Sequence, residues 1–210
     1  MSDEKQHLEA ISDIRNMMER STRFLSLSGL SGVFAGIFAL AGAGAAYVRL
    51  EEKLILSDAN YTPVGSRLAD LSAFFFTDAA LVLIASLAAG FFFTSRKAQK
   101  QGLKLWDSSS KRVAVSLFVP LIAGGIFCLE LLHFQYVQLI APATLLFYGM
   151  ALLNASKYTF DDIRYLGMTE IVLGLIAAGY HKTGLLFWAI GFGLVHIVYG
   201  AMMWYKYERS

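Results

Sequence analysis

Residues 71–95 read LSAFFFTDAALVLIASLAAGFFFTS, and Asp78 is the one charged side chain among them. A helix needs about 20 predominantly apolar residues to cross the roughly 30 Å hydrocarbon core of a bilayer. The stretch therefore predicts a transmembrane helix. A soluble fold is excluded for this part of the chain, because so continuous an apolar run has no polar face to turn towards water.

Five further apolar stretches flank this one along the chain. The 210 residues are 56% hydrophobic and only 16% charged, which leaves little polar surface for a second, globular domain. We therefore predict an all-α, polytopic membrane protein with one transmembrane domain, residues 23–210, and six transmembrane helices. The predicted spans are 24–48, 71–95, 113–133, 136–154, 165–180 and 183–205.

The distribution of basic residues predicts the orientation of these spans. If the N-terminus is cytoplasmic, 14 of the 18 lysines and arginines lie on the cytoplasmic side. Cytoplasmic loops carry the excess of Lys and Arg in membrane proteins. The bias predicts a multi-pass protein of the inner (cytoplasmic) membrane, folded as three helical hairpins with both termini in the cytoplasm. Residues 49–70 are then the longest external connection.

Residues 1–22 are polar but patterned. Leu8, Ile11, Ile14 and Met18 recur at helical spacing. The pattern predicts a cytoplasmic amphipathic helix that lies on the membrane surface. The alternative interpretation is a docking helix for a soluble partner.

The predicted cytoplasmic loop from Arg96 to Arg112 is strongly basic and contains Trp106. Basic residues next to a membrane attract anionic lipids, with about 1 kcal/mol per residue near the surface. We therefore expect the lipid bilayer, and anionic lipid head groups at this loop, as partners. Nucleic acid is not expected, because a basic juxtamembrane loop is the ordinary consequence of topology. The six basic residues are Arg96, Lys97, Lys100, Lys104, Lys111 and Arg112.

Glycines recur within the predicted spans, and Gly32, Gly36, Gly174 and Gly200 are interpreted as helix-packing positions. Small residues allow the backbones of two membrane helices to approach closely. The closely packed partner is either another helix of this chain or a second copy, so a homo-oligomer interface is the alternative. Glycines at corresponding places in each hairpin also suggest a threefold hairpin repeat.

Two stretches, GMTEIVLGLIAA at 167–178 and GLVHIVYGA at 193–201, belong to this glycine-studded hairpin pattern. In these stretches and in its three hairpins within about 200 residues, the chain resembles the HdeD-like family of small bacterial six-helix membrane proteins. The resemblance implies the six-helix architecture and an association with acid-stress resistance. It implies no catalytic residue.

Five ionisable side chains lie within the predicted spans: Asp78, Glu130, His133, Glu170 and His196. Such groups are costly to insert into a membrane and are the first candidates for function. Counting about 1.5 Å per residue along antiparallel helices places Glu170 and His196 at depths about 6 Å apart. They are predicted to form either a proton-responsive pair that faces the bundle interior or a simple polar tie between two helices.

Glu130 and His133 lie one helical turn apart near the outer end of the third span. With Asp78 they could line an external vestibule or bind a cation, or they could simply be hydrated at the interface. The four histidines lack the spacing of a zinc or haem site, so no metal and no cofactor is expected. No phosphate-binding loop or nucleophile motif is present, and we expect no catalytic residues.

The sequence thus predicts a non-enzymatic membrane protein with a stress-associated, sensory or scaffolding role. The alternative is a small permease or channel, with or without proton coupling, that uses Asp78, Glu130, Glu170 and His196. A permease requires these four side chains to line one polar cavity near the middle of the bilayer. In a scaffold each is tied to a neighbouring helix, and the glycine faces are closely packed.

Overall fold

The computed structural model describes residues 24, 26–57, 64–102, 106–180 and 183–209. The described residues form helices and their connections and include no β-strand, which confirms that the fold is all-α. The predicted helix at 1–22 lies outside the described residues. The six long helices are α1 (Gly29–Ser57), α2 (Val64–Lys100), α3 (Ser108–His133), α4 (Ile140–Ala155), α5 (Asp162–Gly179) and α6 (Gly184–Tyr207).

Among the described residues, five helices are long and apolar enough to cross a membrane: α1, α2, α3, α4 together with its flanking turns, and α6. These helices are those expected of a multi-pass membrane protein. Helix α5, which contains most of the fifth predicted span, has 18 residues and is not among the five. Its 18 residues include three charged side chains, those of Asp162, Arg164 and Glu170.

The first two helices are longer than their predicted spans. Helix α1 continues to Ser57 and α2 already begins at Val64, so much of the expected connection at 49–70 is helical. Residues 49–57 contain Leu, Glu and Lys, which favour helix even where the chain becomes polar. Hydropathy identifies the part of a helix that suits lipid, whereas helix propensity decides where the helix ends.

Packing between the helices follows two glycine contacts. In the first, α1 crosses α6, and a Cβ at Gly200 would lie 2.6 Å from the Val33 amide nitrogen and 2.7 Å from the Gly29 carbonyl oxygen. In the second, α4 crosses α5, and a Cβ at Gly149 would lie 2.6 Å from the Gly167 carbonyl oxygen. Glycine is required at these positions because the opposing atoms belong to backbone, which cannot rotate away.

The predicted packing glycines therefore lie against other helices of the same chain. Gly32 and Gly36 of α1 face α6. A Cβ at Gly32 would lie 3.2 Å from the Gly200 Cα, and a Cβ at Gly36 would lie 2.6 Å from the Gly193 carbonyl oxygen. Gly174 of α5 faces α4 in the same way, at Leu146 and the Pro142 carbonyl. These surfaces are occupied within one copy of the chain.

The three predicted hairpins are not equivalent. Helix α2 packs on α1 and α3 packs on α4, but α2 and α3 share no comparable contact among the described residues. Helix α3 contains no glycine before Gly124, whereas α1 and α5 contain glycine in their first turns. Bulky side chains such as Leu117 and Phe118 occupy this part of α3, and Gly90 of α2 has open space around it. A threefold repeat would require a third glycine contact, between α2 and α3.

Candidate functional site

The most unusual side chain of the structure is Glu170, in the middle of α5. Its exposed fraction is 0%, and both carboxylate oxygens lack a hydrogen-bond donor among the described residues. Burial of an ionised carboxylate without donors costs several kcal/mol, so such a group either binds a proton or lies next to a cation. The structure supplies one candidate for the second role, the imidazole of His196.

His196 lies in α6 and is 5% exposed. Its Nδ1 atom lies 3.3 Å from Glu170 Oε1 and 2.9 Å from the Gly191 carbonyl oxygen. Its Nε2 atom lies 2.8 Å from the Tyr148 hydroxyl oxygen. The structure thus brings Glu170 and His196 together and adds a third polar group, from α4, that the sequence did not indicate.

These contacts determine which ring nitrogen carries a proton. A carbonyl oxygen only accepts hydrogen bonds, so Nδ1 must donate to Gly191. In the neutral imidazole Nε2 is then the acceptor, and the Tyr148 hydroxyl donates to it. The Gly191 carbonyl therefore sets the tautomer of His196, in the way that a second hydrogen bond usually sets the tautomer of a histidine.

The Glu170–His196–Tyr148 cluster has two arrangements that contain the same number of protons. In one, Glu170 is a neutral acid beside a neutral imidazole. In the other, Glu170 is a carboxylate and His196 an imidazolium, whose Nδ1 proton is shared between Glu170 and Gly191. Removal of one further proton leaves a bare carboxylate in an apolar site. The two arrangements therefore differ only in where one proton lies.

Glycine at position 191 makes room for the Glu170 carboxylate. A Cβ there would overlap Glu170 Oε2 and would lie 2.6 Å from a methyl carbon of Leu145. The carboxylate is thus enclosed by backbone and by an apolar side chain. A metal cation has no oxygen cage here, whereas a proton needs none.

Helix α6 is irregular where it meets this cluster. Residues Ala189–Val195 form a π-helical segment, which contains Gly191 and is followed directly by His196. A π turn leaves one more residue per turn than an α-helix, and such turns occur frequently at functional sites. Aromatic rings cover the segment on one side: Phe192 lies 5.0 Å from Tyr148 and 5.0 Å from Trp188, between ring centroids.

The other ionisable candidates lie elsewhere. Asp78 is half-buried against α1, where a Cβ at Gly42 would lie 3.2 Å from its Oδ2 atom. Glu130 and His133 are exposed on α3, whose extensive contact is with α4. Among the described residues no group of three or more His, Cys, Asp and Glu could hold a metal ion. Of the five candidates, only Glu170 and His196 come into contact with each other.

A second polar cluster, which we call the Glu208 clasp, joins three helices at one end of the bundle. Glu208 follows α6, and its carboxylate accepts hydrogen bonds from the Ser28 hydroxyl (3.0 Å) and the Gly29 amide (2.5 Å) at the start of α1. Lys97 of α2 contacts the same carboxylate at 3.5 Å and donates to the Leu27 carbonyl at 2.8 Å. The clasp consists of Leu27, Ser28, Gly29, Lys97 and Glu208.

Lys97 is only 8% exposed, and its ammonium lies 5.2 Å from the centroid of the Phe160 ring. The sequence predicts that Lys97 belongs to the basic loop that contacts lipid head groups. In the structure its side chain is buried, so Lys97 is not available to a head group. A long charged side chain can turn inward when partners at a helix end satisfy its charge. Arg96, Lys100, Lys111 and Arg112 are exposed, as is Trp106, and Lys104 lies outside the described residues.

Asp162, which precedes the fifth predicted span, is held at the same end of the bundle. Its carboxylate accepts hydrogen bonds from the Tyr207 hydroxyl (2.7 Å) and the Lys206 ammonium (3.1 Å). Partial burial by itself raises the pKa of this carboxyl, but the two hydrogen bonds outweigh it, and the pKa lies below its usual value. The contact therefore stabilises the fold at pH values above the usual pKa of an aspartate. This stabilisation is lost as the pH falls and the carboxyl is protonated.

Depth along the helices was a signal that could have identified Tyr148. It lies seven residues before the end of α4, and Glu170 lies eight residues after the start of α5. At about 1.5 Å per residue the two lie at nearly the same depth. The clasp had no comparable signal, because Glu208 and Lys97 lie in polar helix ends that any partner could satisfy.

Comparison with family models, with curated proteins and with solved structures found no match. The resemblance to HdeD-like proteins therefore stays a prediction from the quoted stretches. Function has to be inferred from the arrangement of the side chains.

Proposed function

We propose that the protein is a non-enzymatic membrane protein with a sensory role in acid stress. In this proposal the Glu170–His196–Tyr148 cluster holds one exchangeable proton, and its loss or gain reports acidity. The observation that carries the proposal is the complete burial of a carboxylate whose nearest polar neighbour is an imidazole at 3.3 Å. An imidazole changes charge between about pH 5 and about pH 8, so acidification from neutral pH can change its charge.

The placement of the remaining candidates favours a sensor or scaffold over a permease. A permease that used Asp78, Glu130, Glu170 and His196 would need all four on one path. Glu130 is exposed on α3, Asp78 lies against Gly42 of α1, and Glu170 is enclosed at Gly191. The glycine contacts between α1 and α6 and between α4 and α5 are also close, as a scaffold requires.

We further propose six spans in an inner membrane of a bacterium, arranged as three unequal hairpins with both termini in the cytoplasm. The start of α1, the end of α2 and the end of α6 meet in the Glu208 clasp. The connection between α4 and α5 joins them, since the Phe24 amide donates to the Tyr158 carbonyl at 2.7 Å. These are the segments in which the basic residues concentrate, which supports a cytoplasmic location.

The proposed proton site predicts how stability depends on pH. In this proposal the folded cluster holds a proton that the unfolded chain has released. The folded state then binds more protons than the unfolded state, so stability falls as pH rises, by up to about 1.4 kcal/mol per pH unit. Thermal unfolding in detergent, repeated from about pH 6.5 to about pH 8.5, measures this slope against the ordinary histidine value.

Glu170→Gln is the informative variant. Its amide fills the same volume but binds no proton, so we expect the slope above about pH 6.5 to vanish. Glu130→Gln on the exposed face of α3 is the matched control and should keep the wild-type slope. An unchanged slope in Glu170→Gln, or a wild-type protein with no slope, contradicts the proposal.

The exposed basic residues at the end of α2 and the start of α3 predict selectivity for anionic lipid head groups. Four cations are exposed there beside Trp106, and the Asp107 carboxylate is occupied as the N-cap of α3, accepting from the Ser110 amide at 2.7 Å. We expect that the fourfold change of Arg96, Lys100, Lys111 and Arg112 to Gln reduces the preference for phosphatidylglycerol over phosphatidylcholine. Each charge contributes about 1 kcal/mol near an anionic surface, so the loss should be large.

Spin-labelled lipids in reconstituted vesicles measure this preference. The control changes Lys157 and Arg164 to Gln, two exposed cations at the connection between α4 and α5. An equal loss per charge in both variants would indicate a general surface field rather than a lipid site at α2 and α3. No loss in the fourfold variant would contradict the prediction.

A further inference from the structure

The π-helical segment Ala189–Val195 lies between two parts of the bundle. On one side Gly191 contacts Glu170 of α5 and Leu145 of α4. On the other side Gly193 contacts Leu40 of α1. The carbonyl oxygen of Gly193 would lie 2.6 Å from a Cβ at Gly36, also in α1. One short segment thus contacts the proton site and the contact between α1 and α6.

The same segment is linked chemically to the proton site. The Gly191 carbonyl accepts a hydrogen bond from His196 Nδ1, five residues later in the chain. When His196 is an imidazolium, Nδ1 divides its donation between Gly191 and the Glu170 carboxylate, 3.3 Å away. The hydrogen bond that holds the π turn therefore depends on the protonation state of the cluster.

A π turn also has a ready alternative conformation. Conversion to α-helix removes one residue from the turn and moves the following part of the helix by about 1.5 Å along its axis, with a rotation of about 100° per residue. Such a local change is a discrete step rather than a gradual deformation, because closely packed helices have few allowed registers. Residues 196–207 of α6, which contact α1 through Gly200, would take a different register.

We infer that protonation of the Glu170–His196 pair switches residues 189–195 between π- and α-helical forms and thereby changes the register of α6 on α1. This inference rests on the proposed proton site and extends it from sensing to response. Among the described residues, the titratable side chain that contacts the pair from another helix is that of Tyr148, in α4. Helix α1 contributes Gly36 and Leu40 to the segment, neither of which titrates.

The change of register would reach the end of the bundle through α6. Glu208 follows directly after α6, and its carboxylate caps α1 and contacts Lys97 of α2. A displacement of about 1.5 Å with a rotation of about 100° exceeds the tolerance of a hydrogen bond, so the Glu208 clasp would open. The cytoplasmic surface around the clasp is then the part of the molecule that responds.

Distances between spin labels test this inference. Two exposed positions, Met202 after the π segment and Met150 on α4, are changed to Cys for labelling in a Cys128→Ser background. We expect their mean distance in nanodiscs to change by several ångströms between about pH 5.5 and about pH 8.5, which bracket the ordinary histidine pKa, because a rotation of about 100° moves a label on the helix surface further than the axial rise does. A second pair, Leu186 before the π segment with Met150, should show no change.

The variants separate this inference from the proposed function. In Glu170→Gln, and independently in His196→Gln, the distance should no longer depend on pH. If the wild-type protein keeps its pH-dependent stability while the Met202–Met150 distance stays constant, the switch is contradicted and the proton site stands. A change of distance that persists in Glu170→Gln also contradicts the switch, and loss of both pH effects in the wild type contradicts both proposals.

Discussion

Replacement of Gly200 by alanine is expected to lower the stability of the protein by about 2–3 kcal/mol, as overpacking of a close contact does. The added Cβ would lie 2.6 Å from the Val33 amide nitrogen, 2.7 Å from the Gly29 carbonyl oxygen and 2.9 Å from the Gly32 carbonyl carbon. All three atoms belong to the backbone of α1, so no side-chain rotation can relieve the overlap. The two helices must separate, and the Glu208 clasp next to them is strained.

Chemical unfolding in mixed micelles measures this loss. Gly125→Ala in α3 is the matched control, because a Cβ there meets nothing within 4 Å. Alanine favours a helix over glycine by up to about 1 kcal/mol, so the control should be neutral or slightly stabilising. Equal losses in both variants would contradict the close contact between α1 and α6.

Replacement of Glu208 by alanine is expected to cost about 3–4 kcal/mol, because removal of one member of a buried ion pair leaves the other charge uncompensated. Lys97 would keep the Leu27 carbonyl and the Phe160 ring, and Ser28 and the Gly29 amide would lose their acceptor. The double variant Glu208→Ala with Lys97→Met should lose less than the sum of the single losses. The difference, about 1–3 kcal/mol, measures the coupling of the pair.

A second ion pair at the same end of the bundle provides the comparison. Lys206 lies 3.1 Å from the Asp162 carboxylate, but its side chain is 59% exposed. Lys206→Met should therefore cost less than about 1 kcal/mol, since exposed ion pairs contribute little. A loss in Lys206→Met as large as that in Glu208→Ala would show that burial does not decide the strength of these contacts.

Much of the helical architecture could be predicted from hydropathy. The run at 71–95 lies within α2, and the other apolar runs overlap helices. The length of an apolar run can be read directly from the sequence, and this length decides whether a helix can cross lipid. The ends were predicted less well. Helix α3 begins at Ser108 rather than near residue 113 because Asp107 and Ser110 form a reciprocal cap, which a hydropathy profile does not register.

The candidate site shows a similar division. Depth counting predicted the meeting of Glu170 and His196, since two consecutive antiparallel helices place residues at calculable heights. It could not predict that a π turn directs the Gly191 carbonyl at His196, because a π turn depends on tertiary packing. The clasp was not predicted for a related reason: the charge of Lys97 suggested contact with lipid head groups, and only packing shows that its side chain is buried.

Infrared difference spectroscopy of the protein in nanodiscs, recorded between mildly alkaline and mildly acidic solution, tests the central claim most directly. A proton held by the Glu170–His196 pair should produce a carboxyl or imidazolium band that appears on acidification, shifts in D2O and is absent from Glu170→Gln. The Glu130→Gln spectrum should retain that band. A wild-type spectrum identical to that of Glu170→Gln across this range would contradict the proton site.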